Sequence, residues 1–174
     1  MPTLPLGAEE MPALRVEEGA ERPCYLDNGA TTLKPERVVR AIDRFYRTQN
    51  APVHRGVYDW SQEATGLYEN ARETVAAFVG AEREELIFTR GTTEGLNLLA
   101  RSWGDTHLEP GDEIALAPQE HHSNFVPWQQ LAERTGASIR WLPLREDGRL
   151  DLEAALEAVT ERTALVAVCH VSNV

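Results

Sequence analysis

Between Glu85 and Val168, short unbroken apolar runs alternate with stretches whose apolar residues recur every three or four positions. No other feature of the chain limits its possible folds so strongly. Strands are predicted over 85–89, 113–117, 139–142 and 164–168. Helices are predicted after the first of these, around Leu96 to Ala100, then over 126–135 with Gly136 as the stop, and over 151–159. Strands lacking a polar alternation are buried on both faces, and strands separated by helices pair in parallel. The expected fold is therefore α/β, a mostly parallel sheet with helices on both faces. Upstream, Pro35 opens a predicted helix with Val38, Val39, Ile42, Phe45 and Tyr46 on one face. A second begins near Ser61, carries Ala64, Leu67, Ala71, Val75 and Phe78, and ends at Gly80. Residues 1–22, broken by prolines, read as a lead-in, and 23–174 as one domain. No internal repeat or low-complexity tract interrupts it.

The function classes narrow by charge. The 174 residues include 17 Lys plus Arg against 28 Asp plus Glu, a net charge of −11, which disfavours nucleic acid or an anionic membrane as partner. The two cysteines, Cys24 and Cys169, are far apart and form no CxxC, so neither a disulfide framework nor a zinc ribbon is written here and a cytoplasmic setting is expected. The acidic, proline-broken N-terminus lacks the pattern of a signal peptide, and no stretch approaches the roughly 18 apolar residues of a membrane span.

Ligand sites of open α/β sheets lie at the carboxyl ends of the strands, and three polar clusters fall there. In Arg90-Gly-Thr-Thr-Glu-Gly95, Gly91 allows a sharp turn, and Thr92 and Thr93 offer hydroxyls and N–H groups at a helix start suited to phosphate. The plainer reading is a threonine cap without a ligand. In Glu120-His-His-Ser-Asn124, a histidine could stack on a planar cofactor or move a proton, whereas Ser123 or Asn124 could simply cap the next helix. His170, Ser172 and Asn173 follow the last strand at an equivalent position, so the three clusters should converge. A fourth group, Val53-His54-Arg55-Gly56, places Arg55 in a loop between the N-terminal helices, where it would face an anion, an adjoining subunit or only solvent. Cys169 reads as a small core residue, and Cys24 as the start of a strand.

Taken in order, Tyr25-Leu-Asp-Asn-Gly-Ala-Thr-Thr32, Val53-His-Arg-Gly56, Arg90-Gly-Thr-Thr-Glu-Gly-Leu-Asn97, Glu120-His-His-Ser-Asn124 with Pro127-Trp-Gln129, and His170-Val-Ser-Asn-Val174 resemble the SufS-type cysteine desulfurases and selenocysteine lyases. These are pyridoxal-phosphate enzymes of the class V aminotransferase group. The resemblance runs from Tyr25 to Val174 and implies the N-terminal part of the large domain of the type I pyridoxal-phosphate transferase fold. It implies conversion of L-cysteine to L-alanine, with the sulfur leaving as a persulfide for iron–sulfur cluster assembly or sulfur transfer. Thr92 and Thr93 would hold the phosphate of pyridoxal 5′-phosphate. His121 would stack on its ring and take part in proton transfer, the one catalytic role assigned. Asn173 would lie beside cofactor and substrate carboxylate. Ala30, His54, Arg55 and Asn173 would contribute to the substrate pocket. No metal is implied. L-cysteine or selenocysteine, a sulfur-acceptor protein and a second copy in a homodimer are the implied partners.

Of the 17 basic residues sixteen are Arg, and the only lysine is Lys34. It precedes Pro35 at a helix start, outside the family's Ser-x-His-Lys context, and neither cysteine matches the family's catalytic loop. The resemblance thus leaves this chain without the Schiff-base lysine and nucleophilic cysteine, and it is expected to be inactive alone. Its exposed sheet edge should also make it prone to self-association. Three rival readings remain: another class V enzyme (selenocysteine lyase, kynureninase-like or epimerase-like), a non-catalytic remnant binding phosphate or a partner, and a metal-dependent hydrolase using His121, His122 and His170.

Overall fold

Glu113–Leu116 forms the central strand of the molecule because Glu-Ile-Ala-Leu can bury every side chain, and all four residues are buried. This strand, β1, is flanked on either side in a computed structural model that describes residues 7–16, 19–21 and 23–172. The flanking strands are β2 (Ser138–Trp141) and β3 (Thr163–Ala167). Both pair parallel to β1, giving the order β2-β1-β3.

The two crossovers run in opposite directions along the sheet. The first leaves β1 for β2 through the helix Val126–Thr135; the second returns past β1 to β3 through Leu152–Ala158. Right-handed connections travelling in opposite directions place their helices on opposite faces. Packing agrees: Ile114 and Leu116 join Trp128, Leu131 and Ala132 of the first helix on one face, while Ala115 packs with Leu142 and Ala155 of the second on the other. The alternation of neighbouring β1 side chains between two cores is the pleat at work. The expected parallel sheet with helices on both faces is what the structure contains.

Numbering helices along the chain, α1 is Glu36–Arg44, α2 is Asp59–Val79, α3 is Thr92–Leu99, α4 is the single turn Asp105–His107, α5 is Val126–Thr135 and α6 is Leu152–Ala158. Pro35 is the residue before α1 rather than its first member, with extended ψ of 149°. Gly80 and Gly136 end α2 and α5 in the left-handed region, at φ 74° and 78°, where a side chain would be strained. Asp151 caps α6 by accepting the Ala154 N–H. A Cβ at Gly104, in the π-type turn Ala100–Gly104, would lie 2.4 Å from the Leu131 side chain, so a larger residue there would have to push Leu131 of α5 aside.

Three expectations fail. Residues 85–89 do not add a strand to the sheet. Instead Arg83–Glu85 forms a 3-10 turn with a reciprocal cap, in which the Glu85 carboxylate accepts the Glu82 N–H, and Leu86 continues extended. The cap fixes the chain direction locally, and Ile87 is left 68% exposed. Cys169 is exposed rather than a core residue, because β3 has already ended at Ala167; Cys24, also exposed, lies in no strand.

The described residues divide into two compact units between Ile87 and Phe88. The second contains the sheet. The first contains α1, α2 and the loop 50–58, which is strapped along α2: Ser61 Oγ donates to the Pro52 carbonyl at 2.6 Å, the His54 N–H donates to Thr65 Oγ1 at 3.0 Å, and His54 Nε2 meets Glu69 Oε1 at 2.9 Å. No helix among the described residues is long and apolar enough to cross a membrane.

Candidate functional site

The carboxyl ends of β1 and β3 and the start of α3 surround one open cavity of about 1440 Å³ within the second unit. Its walls include Thr92, Thr93, His121 and Ser123, with Leu96 and Val168 supplying apolar surface. A parallel sheet brings such groups together because every strand delivers its following loop to the same edge.

At the start of α3, Gly91 precedes the helix, and among the described residues no side chain caps it. The first-turn N–H groups of Thr92 and Thr93 therefore keep their hydrogen-bonding capacity, and the helix end carries a partial positive charge. Glu94 does not cap its own helix start. Its carboxylate turns back to accept from the Arg90 backbone N–H and guanidinium. The guanidinium hydrogen bond chiefly, then the backbone one, holds the Glu94 carboxyl below the ordinary carboxylate range, and Arg90 is correspondingly held more firmly protonated.

His121 follows β1. Its Nδ1 accepts the Ser123 N–H at 3.1 Å and lies 2.8 Å from Ser123 Oγ. A nitrogen that accepts from a backbone N–H carries no proton itself, so the neutral ring holds its proton on Nε2. Ser123 thus sets the tautomer, and His121 caps the turn His122–Asn124, while the helix α5 that Ser123 or Asn124 was expected to cap starts after Phe125 with neither of them capping it.

Three residues between the strands have partners that the sequence motifs alone did not suggest. Trp128 Nε1 donates to Asn124 Oδ1 at 2.9 Å, Asn124 Nδ2 donates to Glu120 Oε2 at 2.7 Å, and the Cys169 N–H donates to Glu120 Oε1 at 2.6 Å. The i, i+4 spacing of Glu120, Asn124 and Trp128 was the available signal; the link to Cys169, 49 residues on, had none.

Three of the remaining candidates, Ala30, His54 and Arg55, belong to the first unit. Ala30 is in an exposed turn, and His54 and Arg55 are exposed in the strapped loop of the first unit, with His54 at a left-handed φ of 60°. His170 is exposed just after β3. Asn173 lies outside the described residues. Among the described residues no three His, Cys, Asp or Glu side chains are gathered so as to hold a metal ion.

The aminotransferase class-V family matches residues 24–174. A protein named "probable cysteine desulfurase" from Halobacterium salinarum is 51% identical over 156 residues, 89% of this chain and 38% of that protein. One of the same name from Staphylococcus aureus is 44% identical over 167 residues, 95% of this chain and 40% of its own. Among solved structures, the apo cysteine desulfurase of Thermococcus onnurineus superposes with a TM-score of 0.80 at 46% identity, over 86% of this chain and 37% of that one. The cysteine desulfurase CsdA of Escherichia coli gives 0.71 at 35% identity, over 91% and 39%. The chain therefore spans about 40% of the length of the relatives it matches.

Proposed function

Because the chain belongs to the aminotransferase class-V family, we propose that it is the cofactor-binding part of a cysteine desulfurase, and that the cofactor it serves is pyridoxal 5′-phosphate. The observation that carries this reading is the cavity in which an uncapped helix start and a tautomer-fixed histidine face the same space. The residues present fit the group: a phosphate is favoured at an open, positively polarised helix end, and a planar ring suits a cavity with apolar walls and an imidazole on its rim.

Thr92 and Thr93 would hold the phosphate through hydroxyl and N–H groups. His121 would lie against the ring, with Nε2 the atom that holds or gives up a proton. Asn173 would orient cofactor and substrate carboxylate, and Ala30, His54 and Arg55 would serve the substrate. When bound, pyridoxal phosphate supplies an electron sink for charge developing at the substrate's α-carbon. The reaction of the whole protein is L-cysteine plus an enzyme thiol giving L-alanine plus an enzyme persulfide, which passes to a sulfur acceptor for iron–sulfur cluster assembly or other sulfur transfer. Both a cytoplasmic setting and a homodimer belong to this proposal.

Lys34, the single lysine, is in the first unit beside the turn at Thr32, where its Nζ donates to the Thr32 carbonyl. The 174-residue chain is therefore expected to bind pyridoxal phosphate without turnover. Equilibrium dialysis against the cofactor and an alanine assay with L-cysteine and a thiol test both halves. Alanine release above a cofactor-only blank overturns the expected inactivity, and absence of cofactor binding overturns the reading itself.

A further inference from the structure

The indole of Trp128 settles more than its own burial. An indole N–H only donates, and Trp128 is 2% exposed, locked in the sheet core. Asn124 must therefore present its oxygen to Trp128, which turns its amide N–H groups toward Glu120. On the other side of Glu120 stands a second obligatory donor, the Cys169 backbone N–H. The position between them requires two acceptors and no donor, and a carboxylate is the side chain that meets this condition. A glutamine there would set its own N–H against another at one of the two contacts.

We infer that Glu120 is a positioning residue for His121. Its carboxylate ties the loop after β1 both to the buried end of α5, through Asn124 and Trp128, and to the end of β3, through Cys169. His121 is the next residue, and its ring is fixed on the other side by Ser123. The imidazole is thus suspended between two anchors, one of them Glu120, and its placement in the cavity depends on both. The benefit of this placement rests on the proposed role of His121 against the cofactor ring; the anchoring itself does not.

The test uses the 174-residue chain, Glu120→Gln, Trp128→Phe and the double variant. Three quantities are read: the 15N resonances of the His121 ring without cofactor, the dissociation constant of pyridoxal phosphate, and that of inorganic phosphate. In the parent chain His121 should show one protonated Nε2 and one accepting Nδ1. Glu120→Gln should average these signals and weaken pyridoxal phosphate by about tenfold, as expected for one lost hydrogen bond to a charged group. Inorganic phosphate binding, which depends on the α3 start, should be unchanged; a variant that had merely unfolded would lose it too. In the Trp128→Phe background Asn124 is free to turn over and accept from the new glutamine, so adding Glu120→Gln there should cost little. Unmoved His121 signals in Glu120→Gln, or an equal penalty with Trp and with Phe at position 128, would overturn the inference. If the parent chain bound pyridoxal phosphate no better than phosphate, the functional reading would fail, while the His121 resonances would still decide whether Glu120 anchors the ring.

Discussion

Residues 88–172 bury Ile114, Leu116, Trp128 and Leu131 in a continuous core, whereas the fully buried residues described in 23–87 are Ser61, Ala64 and Ala76. The sheet unit is stabilised by removing large apolar side chains from water. In the helical unit small residues permit close approach, and polar bonds from α2 hold a loop in place. The apolar residues of α1 show the contrast: Ile42 is 52% exposed although the helix is amphipathic. Amphipathic sequence specifies which face of a helix seeks cover, but the cover itself decides how much stability results.

The comparison breaks first at Leu116. Truncating a fully buried leucine in the central strand leaves a cavity with two sheet neighbours fixed around it, so Leu116→Ala should lower unfolding free energy by about 2–5 kcal/mol. Urea denaturation followed by circular dichroism measures this, and a loss no larger than that of a surface substitution would mean the sheet core is not the stabilising element.

That core was also the legible part of the sequence. Each of β1, β2 and β3 was placed within a residue, because an unbroken apolar run between two helical patterns has few other solutions. Residues 85–89 have the same composition and still form no sheet strand, since the neighbouring Glu82 and Glu85 close a cap that no hydrophobic pattern records. Cys169 was misplaced for a related reason: the apolar run continues past Ala167, but the ladder does not. Around the cavity, Thr92, Thr93 and His121 had been singled out by their position after a glycine turn or a strand end, and all three line it. The Glu120 network escaped because its meaning lies in donor and acceptor matching across 49 residues, which has no period.

A smaller effect is expected at the opposite end of β1. Glu113, 5% exposed, joins all three strands at their starts, bonded to Arg140 of β2 and paired with Arg162 before β3. The Arg140 hydrogen bond above all, with the charge of both guanidiniums, holds its carboxyl below the ordinary value of 4.5. A carboxyl lowered on folding stabilises the protein above its unfolded value and loses that contribution as pH falls through the folded one. Glu113→Gln should therefore destabilise at pH 7, and the deficit should shrink below about pH 4. Thermal melts of both proteins across pH check the sign; a deficit that persists unchanged into acid would assign the loss to packing.

In the helical unit the measurable loss should come from a hydroxyl. Ser61→Ala removes the buried hydroxyl that donates to the carbonyl of the exposed Pro52 and should cost about 1–2 kcal/mol in the same urea denaturation.

The smallest change is expected where sequence pattern is strongest. Ile42→Ala on α1 removes a large apolar side chain from a helix face that is half open to water, and most of that surface is exposed before and after unfolding alike. The expected loss is about 0.5–1 kcal/mol, below that of Ser61→Ala despite the greater apolar volume removed. A loss as large as that of Leu116→Ala would mean that in solution this face is covered after all, and sedimentation at several concentrations would then show whether a second copy covers it, since cover supplied by association makes stability depend on concentration.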